Sequence, residues 1–256
     1  MSQLVVKYVI TYGINFIYYK KNSILTNNNF LLFDPFNNDI VKLYQSLWRE
    51  FMLYIFDMGN VIINIDFNRA LRVWSELSKI PIVSLAQNFE LDETVKLHEC
   101  DKISDFEFAE FTSEKLGLSL SFEEFALGWN AIFVSLRYDV IVIMTRLREQ
   151  GHRVVILSNT NRLHQNYWPS HYPEIAASSD FLYLSQDLGM RKPDLAIYKY
   201  VLQSEGFTAE NAIFFDDSEE NVAAAAQLGI KSWHVSDKNT VAKYFANYDF
   251  SIPAKQ

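Results

Sequence analysis

Three short apolar runs each end on polar residues. Leu53-Tyr54-Ile55-Phe56 ends on Asp57, Val154-Val155-Ile156-Leu157 on Ser158-Asn159, and Ile213-Phe214-Phe215 on Asp216-Asp217. Runs this short and this apolar read as strands buried on both faces. Further strand-like runs at 181–185 and 231–235, with helical patterns between the later ones, predict an α/β fold with a parallel sheet and helices on its faces. In such sheets chemistry gathers at the C-terminal strand tips, which is where these polar residues fall.

The spacing predicts a helix from Asp194 to Gln203, entered through Pro193 and closed near Gly206, and another from Glu220 to Leu228 that stops at Gly229. Between strands 52–57 and 153–158 lies a long helical insert, 67–136. Ala70, Val73, Trp74 and Leu77 form one apolar helix face. Ser104 with Glu107 and Ser121 with Glu124 read as capping boxes. The second box opens a helix burying Phe122, Phe125, Ala126, Trp129, Ile132 and Phe133, and Gly117 closes the helix before it. Val140, Ile143, Met144 and Leu147 form the apolar face of a further helix that ends at Gly151. An insert at this point is expected to cover the strand tips as a lid. Its aromatic residues, at helical spacing, are expected to form its own core.

The net charge of -8 excludes a general nucleic-acid binder, whose surface would be basic. A single cysteine, Cys100, excludes an intrachain disulfide and fits a reducing, cytoplasmic setting. Residues 1–51 stand apart: they carry +2, leaving -10 for the remainder, and show no helical or strand period. Their longest uncharged apolar stretch, Tyr8 to Tyr19, is too short to span a bilayer, so no membrane partner is expected. Met52 directly precedes the first strand. The expectation is that residues 1–51 are an N-terminal extension, upstream of translation or disordered, followed by a core at 52–66 and 137–256.

At the strand tips, Asp57 can act as a nucleophile toward phosphorus. A lone strand-end aspartate more often caps a loop, so its weight comes from the other segments. Ser158 and Asn159 offer a hydroxyl and a backbone N–H to phosphoryl oxygens. Lys192, just before Pro193, can hold a carboxylate and a phosphate together. Asp216 and Asp217 repel one another unless a cation joins them, and oxygen donors without His or Cys favour Mg²⁺. Asn221 is placed to fold back and hold that loop. Arg191 reads as a solvated side chain. His164 and His171, with Trp168 between them, read as structural residues of a loop.

In combination these segments resemble the four motifs of the haloacid-dehalogenase-like hydrolase superfamily: Asp57, Ser158, Lys192, and Asp217 with Asn221, in that order. The resemblance runs from Met52 to about Phe245. It implies a Rossmann-like core with a helical cap inserted after the first strand. It also implies Mg²⁺ held by the Asp57 and Asp217 carboxylates and the Gly59 carbonyl, with Ser158, Asn159 and Lys192 on the phosphate. The stretches Tyr54 to Ile62, Ser158 to His164 and Leu184 to Lys192 are similar to the branch that hydrolyses α-D-glucose 1-phosphate. That implies a phosphatase acting on a small phosphosugar through an aspartyl-phosphate.

One departure matters. Two positions after the nucleophile, where most such phosphatases carry an acid/base aspartate, this chain has Gly59. An anomeric alcohol is acidic enough to leave with little protonation, so a sugar 1-phosphate suits this site better than a 6-phosphate. Two other readings remain open: a phosphosugar-binding or regulatory protein without turnover, and a 2-haloacid dehalogenase-like hydrolase. The Asp216-Asp217 pair disfavours the second, because it would repel an anionic substrate without a metal.

Overall fold

The computed structural model describes residues 18–20, 23–26, 29–32 and 51–250. Two compact units divide the chain at residues 49 and 50. In the first, β1 (Tyr18–Lys20), β2 (Ser23–Thr26) and β3 (Asn29–Leu32) form an antiparallel sheet in that order. These strands lie in a stretch whose sequence shows no strand period. The expectation that residues 1–51 are untranslated or disordered falls largely outside the described residues.

The second unit is built on five parallel strands: β4 (Leu53–Phe56), β7 (Arg153–Ser158), β8 (Phe181–Leu184), β9 (Ala212–Asp216) and β10 (Lys231–His234). Their order is β10-β9-β4-β7-β8, so β4 lies at the centre with β9 and β7 on either side. Alternation along the strands sends Tyr54, Phe56, Val154, Ile156 and Phe215 to one face. Leu53, Ile55, Val155, Leu157 and Phe214 go to the other. Helices cover both faces, which is why these strands read as continuous apolar runs rather than alternating ones. Val140, Met144 and Leu147 of α6 (Tyr138–Glu149) pack into the first cluster. Ile197, Tyr198 and Val201 of α10 (Leu195–Glu205), with Ala224 and Ala225 of α11 (Glu219–Gln227), pack into the second. Short helices α8 (Glu174–Ala177), α9 (Ser185–Leu188) and α12 (Thr240–Tyr244) complete the core.

The insert leaves the core through a two-stranded antiparallel ribbon, β5 (Ile63–Ile65) with β6 (Phe133–Leu136). Between them run α1 (Phe67–Ser78), α2 (Ile82–Asn88), α3 (Glu93–Glu99), α4 (Asp105–Leu116) and α5 (Phe122–Asn130). Both capping boxes form: the Ser104 and Ser121 side chains accept from the Glu107 and Glu124 backbone N–H groups, and the glutamates reach back. Gly117 closes α4 with φ 68°, a conformation that costs glycine little. The helix opened by Ser121 was expected to continue to Phe133 but ends at Asn130. Phe133 instead pairs with Ile65 in the ribbon, a long-range partner that outweighs the local helical period.

The insert's aromatics are its core, as their spacing predicts. Trp74, Phe125 and Trp129 are all buried, and Trp74 stacks on Phe125 at 4.9 Å while its Nε1–H donates to the Phe125 carbonyl at 2.9 Å. Gly128 makes this possible. A Cβ at that position would lie 2.1 Å from Trp74 Nε1, far inside contact distance.

Candidate active site

Asp57 follows β4 directly, and its backbone N–H donates to the Phe215 carbonyl of β9 at 2.8 Å, which fixes it between the two central strands. Lys192 lies in the loop between α9 and α10, yet it is almost wholly buried, contrary to the usual fate of a lysine. All three of its ammonium protons are used. Nζ donates to Asp57 Oδ1 at 2.6 Å, to Asp216 Oδ2 at 2.6 Å and to the Leu157 carbonyl at 2.8 Å. Burial works against the charged Lys192, but Asp216 and Asp57 outweigh it and hold its pKa above the ordinary lysine value. Burial likewise pushes the Asp57 carboxyl up to about 7. Lys192 opposes that shift, while repulsion from Asp216 and Asp217 adds to it.

Asp216 is the structural half of the acidic pair. Its Oδ1 accepts from Asn221 Nδ2 at 2.9 Å and from the Ser218 N–H at 2.8 Å, so Asn221 does fold back, onto Asp216. Asp217 faces the cavity, and its Oδ2 accepts from Asn60 Nδ2 at 2.8 Å. Asn60 has φ 54°, a left-handed conformation that asparagine tolerates better than most residues. Its carbonyl accepts from Arg137 Nη1 at 2.9 Å, and the other arm of that buried arginine reaches the Lys238 carbonyl. Neither Asn60 nor Arg137 was anticipated. The Gly-Asn pair after Asp57 was the available signal for the first, and nothing local marked the second.

Ser158 ends β7 and is buried at the cavity floor. The Asn159 side chain has a second task, beside that of the backbone N–H expected to meet the phosphate. It grips the Lys192 backbone from both sides, Nδ2 donating to the Lys192 carbonyl at 2.9 Å and Oδ1 accepting from the Lys192 N–H at 2.8 Å.

Residues 162–171, expected as a loop, form the helix α7 (Arg162–His171), capped by Asn161. His164 is buried and stacks on Trp129 of α5 with ring centroids 5.0 Å apart. Its Nδ1 accepts from Asn161 Nδ2 and its Nε2–H donates to the Trp129 carbonyl, each at 3.1 Å, which sets one neutral tautomer. Burial pushes its pKa down to about 3, so it joins insert to core as an uncharged ring. The structural reading of His164 holds. Arg191 departs from expectation: it is not a solvated side chain but donates from Nε to Glu99 Oε2 of α3 at 2.8 Å.

Most of these groups border a half-open cavity of about 220 Å³ between strand tips and insert. Its floor carries Asp57, Gly59, Ser158, Asn159, Lys192 and Asp217, and its roof Phe67, Val95, Glu99 and Trp129. A Cβ on Gly59 would lie 3.1 Å from Ile65 Cδ1 and 3.9 Å from Asp57 Oδ2, so position 59 faces both nucleophile and ribbon but carries no group that can move a proton. Among the described residues no three His, Cys, Asp or Glu side chains converge as a metal site. The charge balance fits a hard cation nonetheless. Asp57 and Asp216 share the single ammonium of Lys192, Asp217 adds a third negative charge close enough to act on Asp57, and these oxygen donors suit Mg²⁺.

The model of the haloacid dehalogenase-like hydrolases matches residues 51–229, nearly the whole of the second unit. The chain belongs to this family. A D-ribitol-5-phosphate phosphatase of Bacteroides thetaiotaomicron is 26% identical over 186 residues, 70% of this chain and 89% of that one. The GMP/IMP nucleotidase YrfG of Escherichia coli is 25% identical over 190 residues, covering 72% and 82%. An enzyme of the family from Bacteroides thetaiotaomicron, solved with magnesium and inorganic phosphate, superposes with a TM-score of 0.64 at 27% identity, covering 72% of this chain and 94% of that one. The substrates in these names are not α-D-glucose 1-phosphate, to which the motifs pointed. As a member of the haloacid dehalogenase-like hydrolases, the chain has the α/β core and the inserted helices where its sequence places them. Among the described residues no helix is long and apolar enough to cross a membrane.

Proposed function

We propose that the protein is a Mg²⁺-dependent phosphatase of small phosphorylated sugars or sugar alcohols, with α-D-glucose 1-phosphate as its preferred substrate. The observation that carries this reading is the 2.6 Å contact between Lys192 Nζ and Asp57, at the floor of a cavity also lined by Ser158 and Asp217. The similarity to a phosphatase and a nucleotidase, and to an enzyme solved with magnesium and phosphate, supports it.

In this reading the Asp57 oxygen not bound by Lys192 attacks phosphorus, a P–O bond forms to the carboxylate, and the bond to the sugar oxygen breaks. Lys192 holds Asp57 in one orientation and favours its charged form. Ser158 and the backbone at Asn159 donate to the phosphoryl oxygens as charge develops. Water then attacks phosphorus, releasing inorganic phosphate and restoring the Asp57 carboxylate. Asp57, Asp217 and the Gly59 carbonyl would hold Mg²⁺, which would supply positive charge between an anionic ester and an anionic nucleophile. The sugar oxygen leaves without help from position 59, which favours the more acidic anomeric alcohol.

Residues 67–136 act as the cap that selects the leaving group, over a core of 52–66 and 137–256. A cavity of about 220 Å³ suits one sugar ring or an open-chain polyol better than a nucleoside. The test is kcat/KM with Mg²⁺ on α-D-glucose 1-phosphate, glucose 6-phosphate, ribitol 5-phosphate and GMP. The 1-phosphate is expected to lead. A lead for GMP would refute the size reasoning, and one for the 6-phosphate the leaving-group reasoning.

A further inference from the structure

Two ion pairs join the insert to the core beside the cavity, and they are built differently. Arg162 binds Asp101 with two parallel bonds of 2.9 and 3.0 Å, both side chains are more than 40% exposed, and neither borders the cavity. That is a surface strut. Arg191 and Glu99 are 27% and 15% exposed and share one bond of 2.8 Å, from Nε to Oε2. Both border the cavity together with Asp57, Ser158 and Lys192. Among the described residues nothing hydrogen-bonds to the second oxygen of Glu99 or to either terminal nitrogen of Arg191. None of these atoms is among the buried polar groups left without a partner, so they stay open to solvent and can hydrogen-bond a ligand that displaces it.

Their surroundings sharpen the point. The cavity lining also includes the apolar Phe67, Leu91, Val95 and Ile132, which offer a ligand no hydrogen bonds, and the polar Lys96, Thr160 and Asn161. Arg191 is also the residue next to Lys192, so its guanidinium is placed by the same loop that positions the nucleophile's partner. Glu99 ends α3, one turn beyond Val95 and Lys96, both of which also border the cavity.

We propose that Glu99 and Arg191 form the site that recognises the hydroxyl groups of the leaving group. The free Glu99 oxygen accepts from one hydroxyl while an outer N–H of Arg191 donates to the oxygen of its neighbour. An acceptor and a donor side by side match a vicinal diol, so the pair selects polyhydroxylated phosphoesters over esters that merely fill the cavity. The proposal rests on the phosphatase reading above and adds the residues that choose its substrate.

The test compares two substrates in the full chain with Mg²⁺: α-D-glucose 1-phosphate, which carries vicinal hydroxyls, and 4-nitrophenyl phosphate, which carries none. In Glu99→Gln and, separately, in Arg191→Met, kcat/KM on the sugar phosphate should fall at least about tenfold further than on the aryl phosphate, mostly through KM. A matched fall on both substrates in both variants would mean that the pair only holds the cap, and would overturn the proposal. So would an unchanged preference. If the unaltered protein hydrolyses neither ester, the phosphatase reading falls and takes this proposal with it. If it hydrolyses both and the variants show no split, only the assignment of Glu99 and Arg191 fails.

Discussion

Replacing Lys192 by alanine removes one cation and leaves two carboxylates in a nearly dry site. The Asp57 side chain is 10% exposed and that of Asp216 is not exposed at all. Three hydrogen bonds of 2.6, 2.6 and 2.8 Å are lost with it. Removing one partner of a buried ion pair costs about 3–5 kcal/mol, a large share of the roughly 5–15 kcal/mol that holds a domain folded. For a domain of this size that is a fall in Tm of about 6–20 °C. Lys192→Met, which keeps most of the volume, should cost nearly as much, because charge rather than packing dominates.

The pH dependence separates this from a simple cavity. Lys192 has a folded pKa raised above 10.5, so its contribution in the unaltered protein is fully present below 10.5 and is lost only as pH climbs through the higher folded value. The abandoned Asp57 carboxyl behaves in the opposite sense. Asp57 is already pushed up to about 7 with its partner present, and without it the folded state binds the proton more strongly still. The variant therefore regains stability relative to the unaltered protein as pH falls toward about 7, and below that value both proteins hold the Asp57 proton and the difference levels off. Urea unfolding in chelator, followed at several pH values, reads both quantities. A deficit below about 1 kcal/mol at pH 8, or one that does not change with pH, would refute the reasoning.

His164 makes a second pH-dependent contribution. Its folded pKa of about 3 lies below the ordinary 6.5, so the unfolded chain binds its proton first and stability falls as pH drops below 6.5, by up to about 1.4 kcal/mol per unit. His164→Gln should remove that slope from urea midpoints taken between pH 6.5 and 5. Gly128→Ala opposes two effects: alanine gains about 1 kcal/mol as a helix former, but its Cβ meets Trp74 Nε1 at 2.1 Å. Overpacking at a buried indole costs about 1–3 kcal/mol, so thermal unfolding should show a net loss.

The strand-tip residues were legible because their address is local. Asp57, Ser158 and Asp216-Asp217 each end an apolar run, and a parallel sheet brings such ends together without further information. Lys192 was legible only through its neighbours Gly189 and Pro193, and its burial could not be read from a lysine in a loop. What escaped depends on distant partners. The β5–β6 ribbon pairs residues about seventy positions apart, so the helical period around Phe133 was misleading. Helix α7 carried a usable start signal in Asn161, but Pro169 inside it hid the pattern. The Glu99–Arg191 pair spans 92 positions and had no local mark at all.

The most direct measurement is inorganic phosphate release from α-D-glucose 1-phosphate, with Mg²⁺ and with chelator, for the unaltered protein and for Asp57→Asn. The account predicts release that requires Mg²⁺ and disappears in the variant, whose amide cannot form the acyl phosphate. Release that persists in Asp57→Asn, or a folded protein that releases no phosphate from any sugar ester with Mg²⁺ present, would contradict it.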